Sequence, residues 1–495
     1  MFIDSVATYA SRTPEALACI DLETQQRWNY HQFDGVINQV AHWLISELGP
    51  SSRKRVVTIA KNSASLLILN LACVRAGAIY VPINWRLLAK EVMGIISDAE
   101  PDLIIYEKPF KPDYFSIKKI QLNSLLPNAA GFSKSVAQGA RLDNQETSLL
   151  LYTSGTSGQP KGVEISEINA YWGQVAFNSG SQVVDGRVFL CDMPLFHTAG
   201  LLLSARGPLQ MGGAVLISRG FDPRTTLDRL TDPELAITHY FSVPQMASRI
   251  WDLPEFDPAK LERLLVWSTG GAPISKSLVE RFIRAGIPLS HGFGMTETGS
   301  VSGNSVINRD VLLAKLGSSG ALFSGVEAQI VDNSGAPMPT NEVGELWLRG
   351  PGVTRGYWRK PQTTARAFSA GWFKSGDMAY FDEDGYLFVV DRKKDMYISG
   401  GENVYCTEVE SVIAEIKDIV DVAVVGIPDS EWGEVGVAFV VAKSIAINDI
   451  TILQHCRNRL AHFKTPKFIH FVDRLPCTTT GKVKKHLLVD RLVGC

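Results

Sequence analysis

The sequence predicts an α/β protein, and three observations carry that prediction. From about residue 28 short β-rich runs alternate with helical periods, the pattern of mostly parallel sheets with helices between their strands. Near residue 318 the texture changes to short strands separated by Gly, Asn and Asp turns, which reads as a small β-rich subdomain. Beyond Asp391 a compact α+β pattern follows, and a chain of 495 residues is too long for one ordinary core. The expected domains are residues 1–390, with the β-rich part at about 318–390, and residues 391–495.

In chain order, VVTIA (Val56 to Ala60) reads as a buried strand, Ser63 to Gly77 as a helix and AIYVPI as the next strand. LIIYE, VFLCDMP, AVLISRG, ITHYFSV and LLVWSTGG continue the strand series. VEAQIVD, GELWLRG and GYLFVVD are the short strands of the β-rich part. In the last part VESVIAEI and DITILQHCRNRLAHF read as helices, and DVAVVGI and VGVAFVVA as strands. Ligands of open parallel sheets bind beyond the strand C-termini, and that is where Gly, Ser, Thr and His concentrate here.

Composition narrows the partners. The chain is 45% hydrophobic and 20% charged with a formal net charge of -2, so no whole-surface basic field for nucleic acid is present and a small-molecule partner is expected. Seven cysteines are scattered and never form a C-x-x-C pair, which argues against a disulfide framework or a zinc cage and for a reducing compartment. The opening MFIDSVATYASRTPEAL lacks the layout of a signal peptide. The most apolar stretch, SLLILNLACVRAGAIYVPI, is broken by Arg75, Gly77 and Pro82, so a buried helix and strand fit it better than a membrane span. The terminal LVGC is neither a prenylation box nor a peroxisomal tripeptide. A cytoplasmic enzyme is the expectation, as a monomer or homodimer.

The run LLYTSGTSGQPKG (Leu150 to Gly162) follows a strand-like segment. Thr153, Ser154, Thr156 and Ser157 offer hydroxyls, Gly155 and Gly158 let successive N–H groups converge on an anion, and Lys161 adds a point charge. By composition alone the run fits a solvated turn, and only its order points to a phosphate loop. A Walker A loop fails on spacing, because Gly162 follows the lysine where Ser or Thr is required.

The order of residues resembles the phosphate-binding signature of the adenylate-forming superfamily of acyl-CoA synthetases, luciferases and non-ribosomal adenylation domains. Further matches follow in order along nearly the whole chain. PLFHTAG (Pro194 to Gly200) resembles the segment that brings a His, here His197, to the acyl pocket. STGGAPIS (Ser268 to Ser275) resembles the segment along adenine, implicating Gly271, Ala272 and Pro273. HGFGMTETG (His291 to Gly299) resembles the next signature: His291, Gly292, Gly294 and Met295 frame the nucleotide, and Phe293 offers adenine an aromatic face. In the same run Thr296 offers the α-phosphate a hydroxyl, and Glu297 offers Mg²⁺ a hard oxygen.

WFKSGD (Trp372 to Asp377) precedes strands, and Asp377 is assigned to the ribose hydroxyls. Arg392 in DRKKD looks like a second ribose or phosphate contact, and Lys394 matches the hinge. SGGENVY (Ser399 to Tyr405) resembles the thiol tunnel through Gly400 and Gly401, although Cys406 replaces the usual proline. LPCTTTGKVKKHLL (Leu475 to Leu488) resembles the C-terminal signature, with Lys482 as the mobile catalytic lysine.

The resemblance implies a large N-terminal domain of two mostly parallel α/β sheets plus the β-rich subdomain, followed by a mobile α+β C-terminal lid. It implies an AMP-forming carboxylic acid–CoA ligase that uses ATP, Mg²⁺ and coenzyme A, with His197, Thr296, Glu297 and Lys482 at the chemistry. Amino-acid-activating relatives carry an Asp just after the position of His197, whereas Thr198 stands here, so an α-amino acid is disfavoured. The segments expected to wall the pocket, FSVPQMASR, STGG and HGFG, are mostly apolar, so a fatty or aryl acid is expected. A stand-alone adenylating enzyme that loads the phosphopantetheine of an acyl carrier protein shares the same chemistry and is the alternative.

Overall fold

The computed structural model describes residues 4–49, 53–110, 116–137, 143–154, 160–181, 186–272, 274–306, 308–393, 395–399, 402–430, 432–443, 447–477 and 483–493, without the side chains of Ser154, Asn403 and Val493. The chain divides into two compact units. The first is Met1–Leu316 with Gly320–Glu327 and Leu348–Phe373; the second is Gly317–Ser319 with Ala328–Trp347 and Lys374–Cys495.

Two sheets build the first unit, as expected. In the six-stranded sheet Arg55–Ile59 lies between Ile79–Ile83 and Leu103–Tyr106, all parallel. The alternation of side chains explains why these strands read as unbroken apolar runs. Val56, Tyr80, Leu103 and Leu149 enter one buried cluster, while Val57, Val81, Ile104 and Leu150 enter another. Neither face meets water, so neither needs polar residues. The intervening helix Ala64–Ala76 starts with the Ala64 N–H donating to the Asp21 carboxylate at 2.8 Å and ends at Gly77, whose φ of 71° suits a left-handed helix end.

The nine-stranded sheet holds the parallel strands Val188–Cys191, Ala214–Ile217, His239–Ser242 and Val266–Thr269, each where the sequence places it. Leu17–Asp21, a short run with no marker of its own, also pairs in parallel with Ala214–Ile217. Leu190, Val215 and Trp267 join Val56 and Leu151 in one cluster, so the two sheets share a core. Asp192, just past the end of Val188–Cys191, is fully buried and accepts hydrogen bonds from Ser218 Oγ, from Thr226 Oγ1 at 2.7 Å and from Tyr240 at 3.3 Å. That carboxylate ties three neighbouring segments together at the sheet edge.

The second unit carries most of the short strands Glu327–Val331, Gly344–Arg349, Trp372–Phe381 and Leu387–Arg392. WFKSGD therefore lies within a ten-residue strand rather than ahead of one, a correction to the reading of its sequence. Gly376 (φ 70°) and a register shift between Met378 and Ala379 make the strand irregular, which hides it from a pattern of alternation. The remainder is a sheet of Ile419–Asp429 and Gly433–Ala442, with Tyr397–Ser399 antiparallel and Phe468–Phe471 parallel to the latter. Val424 and Val440 face the helices Cys406–Ile413 and Asp449–Arg457, while Ala423, Val425 and Phe439 pack with Leu475 and Leu488. The second of those helices ends well before Phe463, since Asn458 caps it with its N–H on the Gln454 carbonyl.

Within the first unit Glu167 and Arg206 form a buried ion pair at 2.5 Å, and Glu167 also accepts from Ser148 at 2.7 Å. Removing one partner leaves a charge unpaired in a dry site. Arg206→Met is therefore expected to cost about 3–5 kcal/mol of unfolding free energy, read from urea denaturation. A change below about 1 kcal/mol would show that the pair is solvated in effect.

Candidate active site

The phosphate-loop signature is a β-hairpin. Thr147–Ser154 pairs antiparallel with Pro160–Ser166, placing Thr153 opposite Lys161 and Tyr152 opposite Gly162. Gly155, Thr156, Ser157 and Gly158 belong to the connection and lie outside the described residues, as do Pro273, Lys394, Gly400, Gly401 and Lys482.

HGFGMTETG forms a second hairpin. Leu289–Met295 runs parallel to Val266–Thr269 through His291, then turns to pair antiparallel with Gly299–Gly303. Thr296, Glu297 and Thr298 are its tip, and Gly299 (φ 66°) supplies the left-handed residue that closes a three-residue turn. Phe293 is half-buried in the outgoing strand. Gly271 and Ala272 follow Val266–Thr269, at the C-terminal edge the sequence assigns to them.

A third segment joins the two hairpins. Glu164 N–H donates to the Gly356 carbonyl at 3.0 Å and Trp358 N–H to the Gly162 carbonyl at 2.8 Å. Thr354 N–H donates to the Glu297 carbonyl at 2.7 Å. These bonds carry Tyr357 to the centre: its phenol donates to Glu297 Oε1 at 3.0 Å, and Lys161 Nζ lies 5.5 Å from its ring centre. Lys161 and Glu297 are thus brought to one residue, Tyr357, that no motif marks. The only local signal is an aromatic after Gly356, which is ordinary in a loop.

His197 precedes a π-helical segment, Ala199–Arg206, an arrangement frequent at functional sites. Gly200 is required there, since a Cβ would overlap the Pro194 carbonyl. Thr198, Leu202 and Leu203 from this segment, with Asn169, Thr296 and Thr354, line a small cavity with room for about one water molecule. No charged side chain lines it. A second, partly open recess lies beside Glu167 and Arg206, and none of its lining residues belongs to a motif of the site.

Among the described residues, several polar atoms of the site have no protein partner. His197 Nε2, Thr198 Oγ1, Thr269 Oγ1 and His291 Nδ1 are buried and unbonded, all at or just past the ends of parallel strands. Such atoms are costly unless a ligand or water satisfies them. Burial, and then the positive Arg86, push His197 down to about 4. Burial likewise pushes His291 down to about 4, against a hydrogen bond to the Thr269 carbonyl. Both rings are neutral at pH 7.

In the second unit Asp377 and Arg392 stand directly opposite on adjacent strands and pair at 2.6 Å, with Asp377 the more buried. The structure thus unites the two residues assigned to ribose. Ser375 Oγ accepts from the Asp377 N–H at 3.0 Å and steadies the strand there. Cys406, in the usual place of proline, is buried and donates to the Asp395 carbonyl at 2.8 Å.

Mg²⁺ fits the donor set at the hairpin tip. Tyr357 engages only one oxygen of Glu297, and Mg²⁺ characteristically takes one or two carboxylates together with substrate phosphates. Among the described residues no group of three or more His, Cys, Asp or Glu is assembled, so nothing competes as an all-protein cage. Glu297, with the neighbouring Thr296 hydroxyl, is the residue that would hold the ion.

Fold and sequence signatures together define a class: an adenylate-forming enzyme, with a large α/β unit carrying the Lys161 and Glu297 hairpins and a smaller unit carrying the Asp377–Arg392 pair. Comparison with known proteins agrees. The chain belongs to the AMP-binding enzyme family, whose model matches residues 6–358, with its C-terminal domain matching residues 408–482. It is 35% identical over 432 residues to a feruloyl-CoA synthase of an Amycolatopsis species, covering 87% of each chain. It is 32% identical over 503 residues to a long-chain-fatty-acid–CoA ligase of Mycobacterium tuberculosis, covering 97% of this chain and 96% of the relative. The ATP-bound MatB from Rhodopseudomonas palustris superposes with a TM-score of 0.92 at 29% identity, covering 99% of both chains. Among the described residues no helix is long and apolar enough to cross a membrane.

Neutral buried histidines make stability depend on pH. His197, His239 and His291 all sit near 4 in the fold, below the ordinary value of 6.5. Between those values the unfolded chain binds more protons, so their contribution is complete above pH 6.5 and lost as pH falls toward 4. The urea midpoint is expected to drop across that window, and His239→Gln to flatten the slope. An unchanged slope in that variant would contradict the assignment of a neutral ring.

Proposed function

We propose that the protein is an AMP-forming carboxylic acid–CoA ligase. It activates a fatty or aryl carboxylic acid with Mg-ATP to an acyl-adenylate, releasing pyrophosphate, and then transfers the acyl group to the thiol of coenzyme A. The observation that carries this reading is the meeting of Lys161 and Glu297 at Tyr357, next to the uncharged cavity lined by Thr198, Leu202 and Leu203. Family membership and the names of the relatives, one an aryl and one a fatty acid ligase, support it.

A carboxylate is a poor acyl donor because oxide would have to leave. Its oxygen therefore attacks the α-phosphorus; the new O–P bond forms as the bond to pyrophosphate breaks. Two anions must approach, so the site has to supply positive charge and oriented donors where charge gathers. Lys161 and the hairpin N–H groups bind the phosphates. Mg²⁺ at Glu297 would neutralise phosphate charge and polarise the phosphorus. Neutral His197 orients the carboxylate by a hydrogen bond without adding a charge, and Thr296 offers its hydroxyl to the α-phosphate. Asp377 accepts from the ribose hydroxyls with Arg392 beside it. In the second step the thiol sulfur attacks the acyl carbon, AMP leaves, and the thiol proton passes to solvent.

Positioning for two different nucleophiles in one pocket calls for a moving part. We assign that role to residues 391–495, turning at Lys394, so that Lys482 serves adenylation and Gly400 and Gly401 serve the pantetheine arm. We assign the reaction to the cytoplasm, a reading that the scattered cysteines, never in a C-x-x-C pair, support.

Pyrophosphate release over short, medium, long and aromatic acids is the deciding measurement, with coenzyme A or a holo-carrier protein supplied as thiol. Release with a fatty or aryl acid and thioester formation on coenzyme A are expected. No release with any acid would overturn the reading, and thioester on the carrier protein alone would replace coenzyme A as acceptor. Lys482→Ala is expected to slow adenylation on the order of a hundredfold or more, while thioester formation from supplied acyl-adenylate stays within a few-fold. Equal loss of both half-reactions would remove Lys482 from the adenylation step. Asp377→Ala is expected to raise the KM for ATP about tenfold or more, the loss of a charged hydrogen bond.

A further inference from the structure

Opposite charges set close together on one wall tend to pair, and a paired lysine and glutamate are poor ligands for anything else. Lys161 and Glu297 both touch Tyr357, yet among the described residues neither forms an ion pair. The ring stands between them. Its face takes the ammonium at 5.5 Å, within the range of a cation–π contact, and its hydroxyl holds Glu297 Oε1 at 3.0 Å.

We propose that Tyr357 is a positioning residue that keeps these two charges apart and aimed: the ring parks Lys161 for the phosphates, and the hydroxyl fixes one oxygen of Glu297 so that the other meets the metal ion. The proposal rests on the reading of Lys161 as a phosphate contact and of Glu297 as the metal donor. A cation–π contact is lost more easily than a salt bridge, so Lys161 transfers to a phosphate without first breaking an ion pair. A carboxylate held at one oxygen offers the metal a single, directed donor.

The backbone makes Tyr357 a rigid spacer rather than a swinging one. Its own N–H donates to Thr364 Oγ1 at 3.0 Å. The residues on either side are bonded to the lysine strand, through Gly356 and Trp358, and Thr354 is bonded to both motifs: its N–H to the Glu297 carbonyl at 2.7 Å and its hydroxyl to the Glu164 carbonyl at 2.5 Å. A displacement of one hairpin therefore carries the ring with it, and the spacing between lysine and glutamate is set in one place.

The two halves of the side chain act on different ligands, which makes the role separable from simple packing. Tyr357→Phe keeps the ring and deletes the hydroxyl; Tyr357→Leu deletes both. Mn²⁺ binding to the full-length enzyme with a non-hydrolysable ATP analogue, followed by electron paramagnetic resonance without any acid, reads the glutamate arm. Titration of the same analogue in EDTA reads the lysine arm.

Tyr357→Phe is expected to weaken Mn²⁺ roughly tenfold with metal-free nucleotide affinity within about twofold. Tyr357→Leu is expected to weaken the nucleotide as well, by about three- to fivefold. Unchanged or tighter Mn²⁺ binding in Tyr357→Phe would overturn the proposal. So would parallel losses of metal and nucleotide in both variants, the sign of a packing role alone. If the unaltered enzyme itself bound no nucleotide, the functional reading would fall rather than the role of Tyr357.

Discussion

Parallel strands buried on both faces leave polar chemistry one place to go, the edge beyond their C-termini. In the first unit Val56 and Val57, one residue apart, enter different apolar clusters, so neither face of that sheet has room for a charge. The hydroxyls, glycines and histidines that the sequence scatters over more than a hundred residues are gathered at the strand ends by this constraint alone. His197 follows one strand, Gly271 another, and His291 marks where a third stops running parallel and turns into a hairpin.

What the edge then provides is mostly neutral. Burial keeps His197 and His291 uncharged at pH 7, the small cavity has no charged lining, and the carboxylate of Asp192 is spent on three neighbouring hydroxyls. Among the described residues of the site, charge lies at Lys161 and Glu297 and at Arg86 near His197 in the first unit, and in the Asp377–Arg392 pair in the second. For a reaction that brings a carboxylate to a triphosphate this economy matters, because each fixed charge in a dry site acts strongly and a surplus one would bind the wrong species. The π-helical segment after His197 serves the same end, presenting Thr198, Leu202 and Leu203 to the small uncharged cavity.

Most of the strands were legible because both-face burial writes itself as continuous apolar runs; Arg55–Ile59 and Ile79–Ile83 fall within a residue of where VVTIA and AIYVPI place them. Helix ends were legible where a residue has one conformational use, as Gly77 does. Irregular elements were not. Leu17–Asp21 pairs with Arg27–Asn29 through a register shift, and the strand through Asp377 is broken by a glycine in a left-handed conformation and a register shift.

The motifs themselves, and with them the class of chemistry, were determined by the sequence, since a phosphate loop or a hairpin tip is a local arrangement of glycines, hydroxyls and one charge. Which motifs meet was decided by the tertiary structure. Asp377 faces Arg392 because an irregular antiparallel pair sets that register, and Lys161 shares a partner with Glu297 because backbone hydrogen bonds from Thr354 to Trp358 bind two distant hairpins to one segment. Tyr357 carries no signature, for its role depends only on where its ring stands between two charges, and that position exists only once the chain has folded.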